Sequence, residues 1–362
     1  MKTQIYKKSG HELVNFTGKT IYIGIDTHKK NWNVSIFLDD MFVRRFHQEA
    51  DSKDLHSFLT KHYPGARYVA CYEAGFKGFS IQRELSELGI ECEIAHAADL
   101  PQTNKDKLNK NDKIDSRRLG EALSKKMINS IYILNKQAEA DRTLVRYRRK
   151  IKGFLKSRKT AIKSFLFRLG IDIPPEFDKS NISKKYISWL RSLTFNEPSA
   201  NYTLQSMVDD VECLRKKEYE HIKQIRALAA SDRYRDVYNE LNKIPGIGLI
   251  AIMTLLTEVV DINRFYSFKK LNSYVGMCPT EFSSGEKIKH GKITPRANKG
   301  VRTVLIEAAW TAVKYDPALS LKFSELRKRM ESNEAIVSIA RKLLSRIYAV
   351  WKNHIDYKIG VK

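Results

Sequence analysis

Two periodicities divide the chain. Between residues 20 and 95 the apolar positions fall in short runs: Ile21–Asp26, Trp32–Leu38, Tyr68–Glu73 and Glu91–Ala95. Runs of this length, rich in β-branched and aromatic residues, predict strands. Polar Thr27-His28-Lys29-Lys30-Asn31 predicts a hairpin between the first two, and helices are expected near Ser52–His62 and Ser80–Leu88. From residue 136 onward the spacing changes to three and four. Leu144, Ile151, Leu155, Ile162, Phe165 and Leu169 follow it, as do Leu204, Met207, Val211, Leu214, Ile222, Ile225 and Leu228. Pro174-Pro175 and Asn196-Glu197-Pro198 interrupt helix between these stretches. The pattern predicts two long helices that pair as an antiparallel coiled coil or helical hairpin.

Antiparallel strands followed by strand–helix alternation is the order expected of a ribonuclease-H-like sheet, so the fold class is α/β plus all-α. Four segments are expected: an extension over 1–19, an α/β domain over 20–135, the long helices over 136–235 and a mainly helical domain over 236–362. In the last, Leu241-Asn242-Lys243-Ile244-Pro245-Gly246-Ile247-Gly248-Leu249-Ile250-Ala251 reads as a helix-hairpin-helix element whose amides can face a phosphate. It reads equally as a glycine turn between two core helices.

Charge narrows the partner. Sixty-five Lys and Arg oppose 41 Asp and Glu, a net +24. The excess recurs along the chain, which favours a polyanionic partner through phosphate contacts and counterion release. Arg142–Gly170 holds eleven basic residues and no acid, Arg146, Arg149 and Lys152 among them, and nucleic-acid contact is expected there. Cys71, Cys92, Cys213 and Cys278 show no metal-type spacing and are expected to be reduced, mostly buried thiols. No membrane span and no signal peptide are expected, and the reading is a cytoplasmic protein.

Four acids are the candidate chemistry. Asp26 and Glu73 each close an apolar strand, and Asp112 and Asp115 stand three apart, which on a helix places them on one face. Carboxylate oxygens amid so much cationic surface point to Mg²⁺ acting on a phosphodiester. A plainer reading makes Asp26 a turn residue, Glu73 a helix cap, and Asp112 and Asp115 partners of Arg117 and Arg118. A second candidate is the loop Pro279–Gly285, where Ser283 and Ser284 precede a flexible glycine. The arm behind it, residues 286–302, carries six Lys and Arg and one acid. A serine there can attack a phosphodiester while the arm holds the phosphates, although Ser-Ser-Gly is usually only a turn.

Taken together these residues resemble the insertion-sequence transposases with a RuvC-like DEDD domain, the bridge-RNA-guided serine recombinases. At the front the resemblance rests on Tyr22-Ile23-Gly24-Ile25-Asp26, Tyr72-Glu73-Ala74-Gly75 and Lys110-Asn111-Asp112-Lys113-Ile114-Asp115-Ser116. At the back it rests on Ile244–Gly248, Asp261-Ile262-Asn263-Arg264-Phe265, Tyr274–Pro279, Ser283-Ser284-Gly285, Gly291-Lys292-Ile293-Thr294, Asn298 and Arg302. It implies that Asp26, Glu73, Asp112 and Asp115 bind Mg²⁺ and that a serine, Ser284 in preference to Ser283, forms a phosphoserine link to DNA. Lys287, Lys289, Lys292, Arg296, Asn298 and Arg302 would then bind nucleic acid.

The implied partners are target and donor double-stranded DNA, a structured noncoding guide RNA, and further copies of the chain in a dimer that assembles to a tetramer. The implied setting is prokaryotic, near the nucleoid. Many members carry glycine before the equivalent of Asn298, where this chain has Ala297, with Pro295 stiffening the loop. Two rival expectations are a Mg²⁺-dependent junction-resolving nuclease without covalent intermediate, and a non-catalytic nucleic-acid-binding scaffold.

Overall fold

The computed structural model describes residues 15–99, 112–178, 182–284 and 287–360, with backbone alone for 97, 112–114, 281–284, 287–290 and 292. The chain divides into two units, Met1–Leu134 and Asn135–Lys362.

The first unit is built on a five-stranded mixed sheet: β1 (Thr20–Thr27), β2 (Asn31–Leu38), β3 (Met41–Glu49), β4 (Arg67–Glu73) and β5 (Glu91–Ala95), in the spatial order β3-β2-β1-β4-β5. β1, β2 and β3 pair antiparallel, whereas β4 runs parallel to both β1 and β5. Helix α1 (Ser52–His62) and α2 (Ser80–Glu87) provide the crossovers. The period of two along the strands sorts side chains to two faces. Ile21, Ile23, Ile25, Ala70 and Tyr72 pack with Leu55, Leu59, Ile81 and Leu85, while Val69 and Cys71 pack with Leu119, Ala122 and Leu123 of α3 (Asp112–Ser124).

Strand β3 was not anticipated. Its sequence, Met41-Phe42-Val43-Arg44-Arg45-Phe46-His47-Gln48-Glu49, lacks clean alternation because it is an edge strand with most side chains exposed. The expected loose lead over 1–19 lies outside the described residues up to 14. From there the chain is tied down: the Phe16 amide donates to the Pro64 carbonyl at 2.9 Å and Phe16 stacks edge-on against Tyr63.

The second unit is helical. Helices α4 (Lys136–Arg168) and α6 (Pro198–Ala229) bracket a short α5 (Lys184–Ser192). Ile151, Leu155, Ile162 and Leu166 share a core with Leu204, Val208 and Val211. The ion pairs Arg148–Glu218 (2.7 Å) and Arg158–Asp210 (3.0 Å) fix an antiparallel direction. Around a larger core stand α7 (Arg235–Asn242), α8 (Leu249–Val259), α9 (Phe268–Val275), α10 (Lys299–Tyr315), α11 (Pro317–Arg327) and α12 (Ser332–Asn353). Gly246, at φ +88°, turns α7 into α8, and a Cβ there would lie 2.6 Å from the Ala308 oxygen and the Ala312 nitrogen. This glycine turn is therefore seated on α10, with Ile244 and Ile247 buried beside it. Among the described residues no helix is long and apolar enough to cross a membrane.

Cys71 and Cys92 are buried and Cys278 is partly so, but Cys213 is exposed on α6, against the expectation of mostly buried thiols. Segment 279–293 is a hairpin of β6 (Pro279–Ser284) and β7 (Lys287–Ile293), where the sequence suggested an irregular loop.

Candidate catalytic sites in the two units

In the first unit main-chain register brings two of the four acids together. Ile25 of β1 lies beside Tyr72 of β4 in parallel pairing, so Asp26 and Glu73 are the next residues on neighbouring strands at the same end of the sheet. Both fall on the face covered by α3, since Ile25 and Tyr72 belong to the opposite core.

Helix α3 is pressed onto that face. A Cβ on Gly24 would sit 2.0 Å from the Ser116 carbonyl and 2.3 Å from the Gly120 nitrogen, so only glycine admits the helix this close. Gly120 lies over Phe37, which pairs with Tyr22, and the Ser116 hydroxyl meets that of Ser35, which pairs with Gly24, at 2.9 Å. Stepping back along α3 from Gly120 to Ser116 thus moves toward Asp26. The next turn, which opens with Asp112 and carries Asp115, continues in that direction.

Asp26 and Asp115 are each partly exposed and have a basic neighbour. Asp26, 20% exposed, has Oδ2 at 3.2 Å from Nε2 of His28, which lies in the β1–β2 turn. Asp115, 21% exposed, accepts from Nη2 of Arg118 at 2.8 Å. Arg117 instead stacks over Phe42, 4.4 Å from its centroid. The side chain of Asp112 lies outside the described residues, and among those no three acids, histidines or cysteines already stand at metal-binding spacing. The donor chemistry suits a hard divalent cation, because Asp26 and Glu73 offer carboxylate oxygens side by side at one sheet end.

The second unit centres on an acid that the sequence reading passed over. Glu258 lies in the last turn of the largely apolar α8, one residue before its end, and is 2% exposed. Arg146 of α4 grips it with two parallel bonds, Nε to Oε1 and Nη2 to Oε2, each 2.7 Å. Asn298 Nδ2 donates to Oε2 at 2.9 Å and to the Tyr274 hydroxyl at 3.0 Å, and that hydroxyl donates to the Glu258 carbonyl at 2.9 Å. Arg142 donates to the carbonyls of Thr257 (2.9 Å) and Glu258 (3.1 Å).

Burial pushes the Glu258 carboxyl up, but the Arg146 and Asn298 hydrogen bonds and the nearby arginine charges outweigh it and hold the group below its ordinary range. Arg146, hydrogen-bonded to that carboxylate, is raised above its ordinary value, whereas burial lowers Arg142. A lone carboxylate at the end of an otherwise apolar helix was the signal that could have found this network, since such a group must be paired to be buried.

The network supports the serine hairpin. Asn298 caps α10 by accepting from the Val301 amide at 3.2 Å, and its own amide donates to the Tyr274 carbonyl. Arg302, one turn on, donates through Nη1 to the carbonyls of Gly276 (3.1 Å) and Thr294 (2.8 Å), one on each side of the hairpin base. Thr294 also donates its amide to the Cys278 carbonyl at 3.0 Å. Gly276, at φ +75°, ends α9 in the left-handed region, and a Cβ there would fall 2.1 Å from that of Ala297. The Ala297 methyl thus occupies the space that Gly276 leaves.

Ser284 closes β6 opposite Lys287, and Ser283 pairs with Ile288. The side chains of both serines and of Lys287, Lys289 and Lys292 lie outside the described residues. Arg296 is exposed. Arg149 lies against Gly300, where an added Cβ would come 1.8 Å from its guanidinium, and Lys152 lines a cavity further along α4.

The comparisons with known proteins agree on one class. Residues 238–324, from α7 to α11, match the family model described as Transposase IS116/IS110/IS902 family. A putative transposase, y4qE, of Sinorhizobium fredii is 30% identical over 282 residues, covering 78% of this chain and 67% of the relative. The transposase for insertion sequence element IS1533 of Leptospira borgpetersenii is 24% identical over 345 residues, 92% of this chain and 96% of the relative. The transposase for IS1111A of Coxiella burnetii is 23% identical over 265 residues, 70% of each chain. With the chain spanning two thirds or more of each relative, and the matched segment holding Glu258, Tyr274, Asn298 and the serine hairpin, it belongs to the IS116/IS110/IS902 family of transposases.

Proposed function

We propose that this transposase exchanges DNA strands through a covalent phosphoserine intermediate, with Mg²⁺ held by Asp26, Glu73, Asp112 and Asp115 of a RuvC-like, ribonuclease-H-like domain. The observation that carries the reading is the register that sets Asp26 beside Glu73, on the face crossed by the helix that opens with Asp112. Bound there, the cation would supply neutralising charge to a scissile phosphate.

The protein's own groups do the rest. The Ser284 hydroxyl attacks phosphorus, an Oγ–P bond forms as one P–O bond of the strand breaks, the serine proton is released and the departing oxygen takes up a proton. The phosphodiester is conserved, so a strand end from a second DNA can displace the serine and restore its hydroxyl. Arg302 bridges the two flanks of the hairpin that carries Ser284, Asn298 caps the helix from which Arg302 reaches, and the cationic residues Lys287, Lys289, Lys292 and Arg296 neutralise the DNA backbone. A structured guide RNA would read sequence by base pairing, leaving shape and backbone to the protein, in an assembly of several copies of the chain.

Trapping tests this. Protein, a candidate RNA from the element, Mg²⁺ and end-labelled DNA are mixed and denatured, with Ser283→Ala, Ser284→Ala and Asp26→Asn alongside. The expected result is a protein–DNA adduct that disappears in Ser284→Ala and Asp26→Asn. Cleaved ends without adduct, still dependent on Asp26, would replace the serine mechanism by hydrolysis. An adduct that persists in Ser284→Ala but not in Ser283→Ala would move the nucleophile by one residue.

A further inference from the structure

The eleven basic residues of Arg142–Gly170 have different fates. Arg142 and Arg146 are committed to α8, Arg148 is paired with Glu218 and Arg158 with Asp210. Lys152, Lys156, Lys159 and Lys163 recur at steps of four, three and four, one stripe of α4. All four line a single cavity of about 720 Å³, with Arg215 of α6 and Asp178 and Ile182 from the connection before α5.

The lining holds five cationic side chains and two carboxylates, and the carboxylates are already used. Glu218 is held by Arg148, and Asp178 is paired with Lys163. Like charges at helical i,i+4 spacing repel, and concentrating them in one cavity worsens the repulsion. Burial and the neighbouring Lys163 push the Lys159 ammonium below its ordinary value. The stripe from Lys152 to Lys163 runs about 16 Å along the helix, room for more than one phosphate. Leu155 and Ile182 add an apolar wall.

We propose that this lysine-lined cavity binds the phosphodiester backbone of a nucleic-acid strand, as a site additional to the acids of the sheet and the serine hairpin. It rests on the nucleic-acid-processing reading above. RNA and DNA share the chemistry, and the test separates them.

Full-length protein is titrated with a mixed-sequence DNA duplex and, separately, with an RNA hairpin, at several salt concentrations. Wild type, Lys156→Ala/Lys159→Ala and the control Lys136→Ala/Lys150→Ala are compared, the control removing two exposed cations of α4 outside the cavity. Alanine favours helix, so folding is expected to persist; circular dichroism checks it, and Lys156→Gln/Lys159→Gln serves as a second version. The cavity variant is expected to flatten the slope of log K against log salt by about 1.4 if a single strand loses two phosphate contacts, or about 1.8 for duplex, with the control changing less. The arm in which this occurs names the ligand. An unchanged slope in the cavity variant, or an equal change in the control, overturns the proposal while leaving strand exchange intact. Wild-type protein that bound neither probe would instead bring down the nucleic-acid reading itself.

Discussion

Asp26 and Glu258 look alike in the sequence, each a carboxylate near the end of an apolar run, and the fold gives them opposite surroundings. Asp26 lies at the end of a strand beside Glu73, is partly exposed, and has the half-exposed His28 for a neighbour. Glu258 lies in the last turn of a helix, is buried, and has both oxygens taken by the forked Arg146 and by Asn298. A carboxylate that serves chemistry must keep lone pairs to offer. One whose lone pairs are spent on buried donors serves architecture.

The contrast predicts a double dissociation. Asp26→Asn should lower strand exchange by about two orders of magnitude or more, the scale seen when an electrostatic contributor to a transition state is removed. It should leave unfolding by urea within about 1 kcal/mol of wild type, because the pair it breaks is partly exposed. A normal exchange rate in Asp26→Asn would end its catalytic assignment.

Glu258→Ala should do the reverse in kind, with a loss of about 2–3 kcal/mol in the same unfolding measurement, since it removes the carboxylate facing the mostly buried Arg142 and leaves Asn298 with one partner fewer, while the half-exposed Arg146 can turn to water. Stability unchanged by that substitution would mean the network is ornamental and would erase the contrast.

Acid sharpens the comparison. Glu258 is held below its ordinary value of 4.5, so its contribution is complete above that pH and is lost as pH falls through the lower native value. Asp316, hydrogen-bonded by Tyr357 and facing Arg346, acts in the same sense below 3.8. Unfolding free energy followed downward from pH 5 should decline less steeply in Glu258→Gln than in wild type; parallel curves would contradict the assignment.

The smallest effect is expected of Arg302→Lys. A single ammonium cannot keep the guanidinium's geometry toward Gly276 and Thr294, and about 1–2 kcal/mol should be lost with the adduct yield reduced but not abolished. An adduct yield equal to wild type would show that the hairpin base holds without it.

Much of the first unit was legible because strands and turns announce themselves locally. Four of its five strands, the Thr27–Asn31 turn and both crossover helices stand where the apolar runs put them. Strand β3 escaped because an edge strand with Arg44, Arg45 and Met41 in the open carries no burial pattern to read. The helical pair α4 and α6 followed from spacing of three and four. The destinations of their charges did not: Arg146 read as a nucleic-acid contact, and although 48% exposed it donates through Nε and Nη2 to the two oxygens of Glu258. Arg302 and Asn298 read the same way; Arg302 also bonds the carbonyls flanking the hairpin, and Asn298 reaches Glu258 and Tyr274.

What the sequence by itself determined was local and collective: which stretches are strand or helix, where the acids and serines fall along them, and that the chain carries a net charge of +24. These are decided by periodicity, turn chemistry and summed charge, all of which are readable without knowing neighbours. What only the tertiary structure decided was pairing. Parallel register put Glu73 beside Asp26, the glycines at 24 and 120 let α3 close on the same face, and packing of α4 on α8 gave Glu258 to Arg146. A charged side chain's role depends on which partner reaches it and whether water does, and those are properties of residues far apart in the chain.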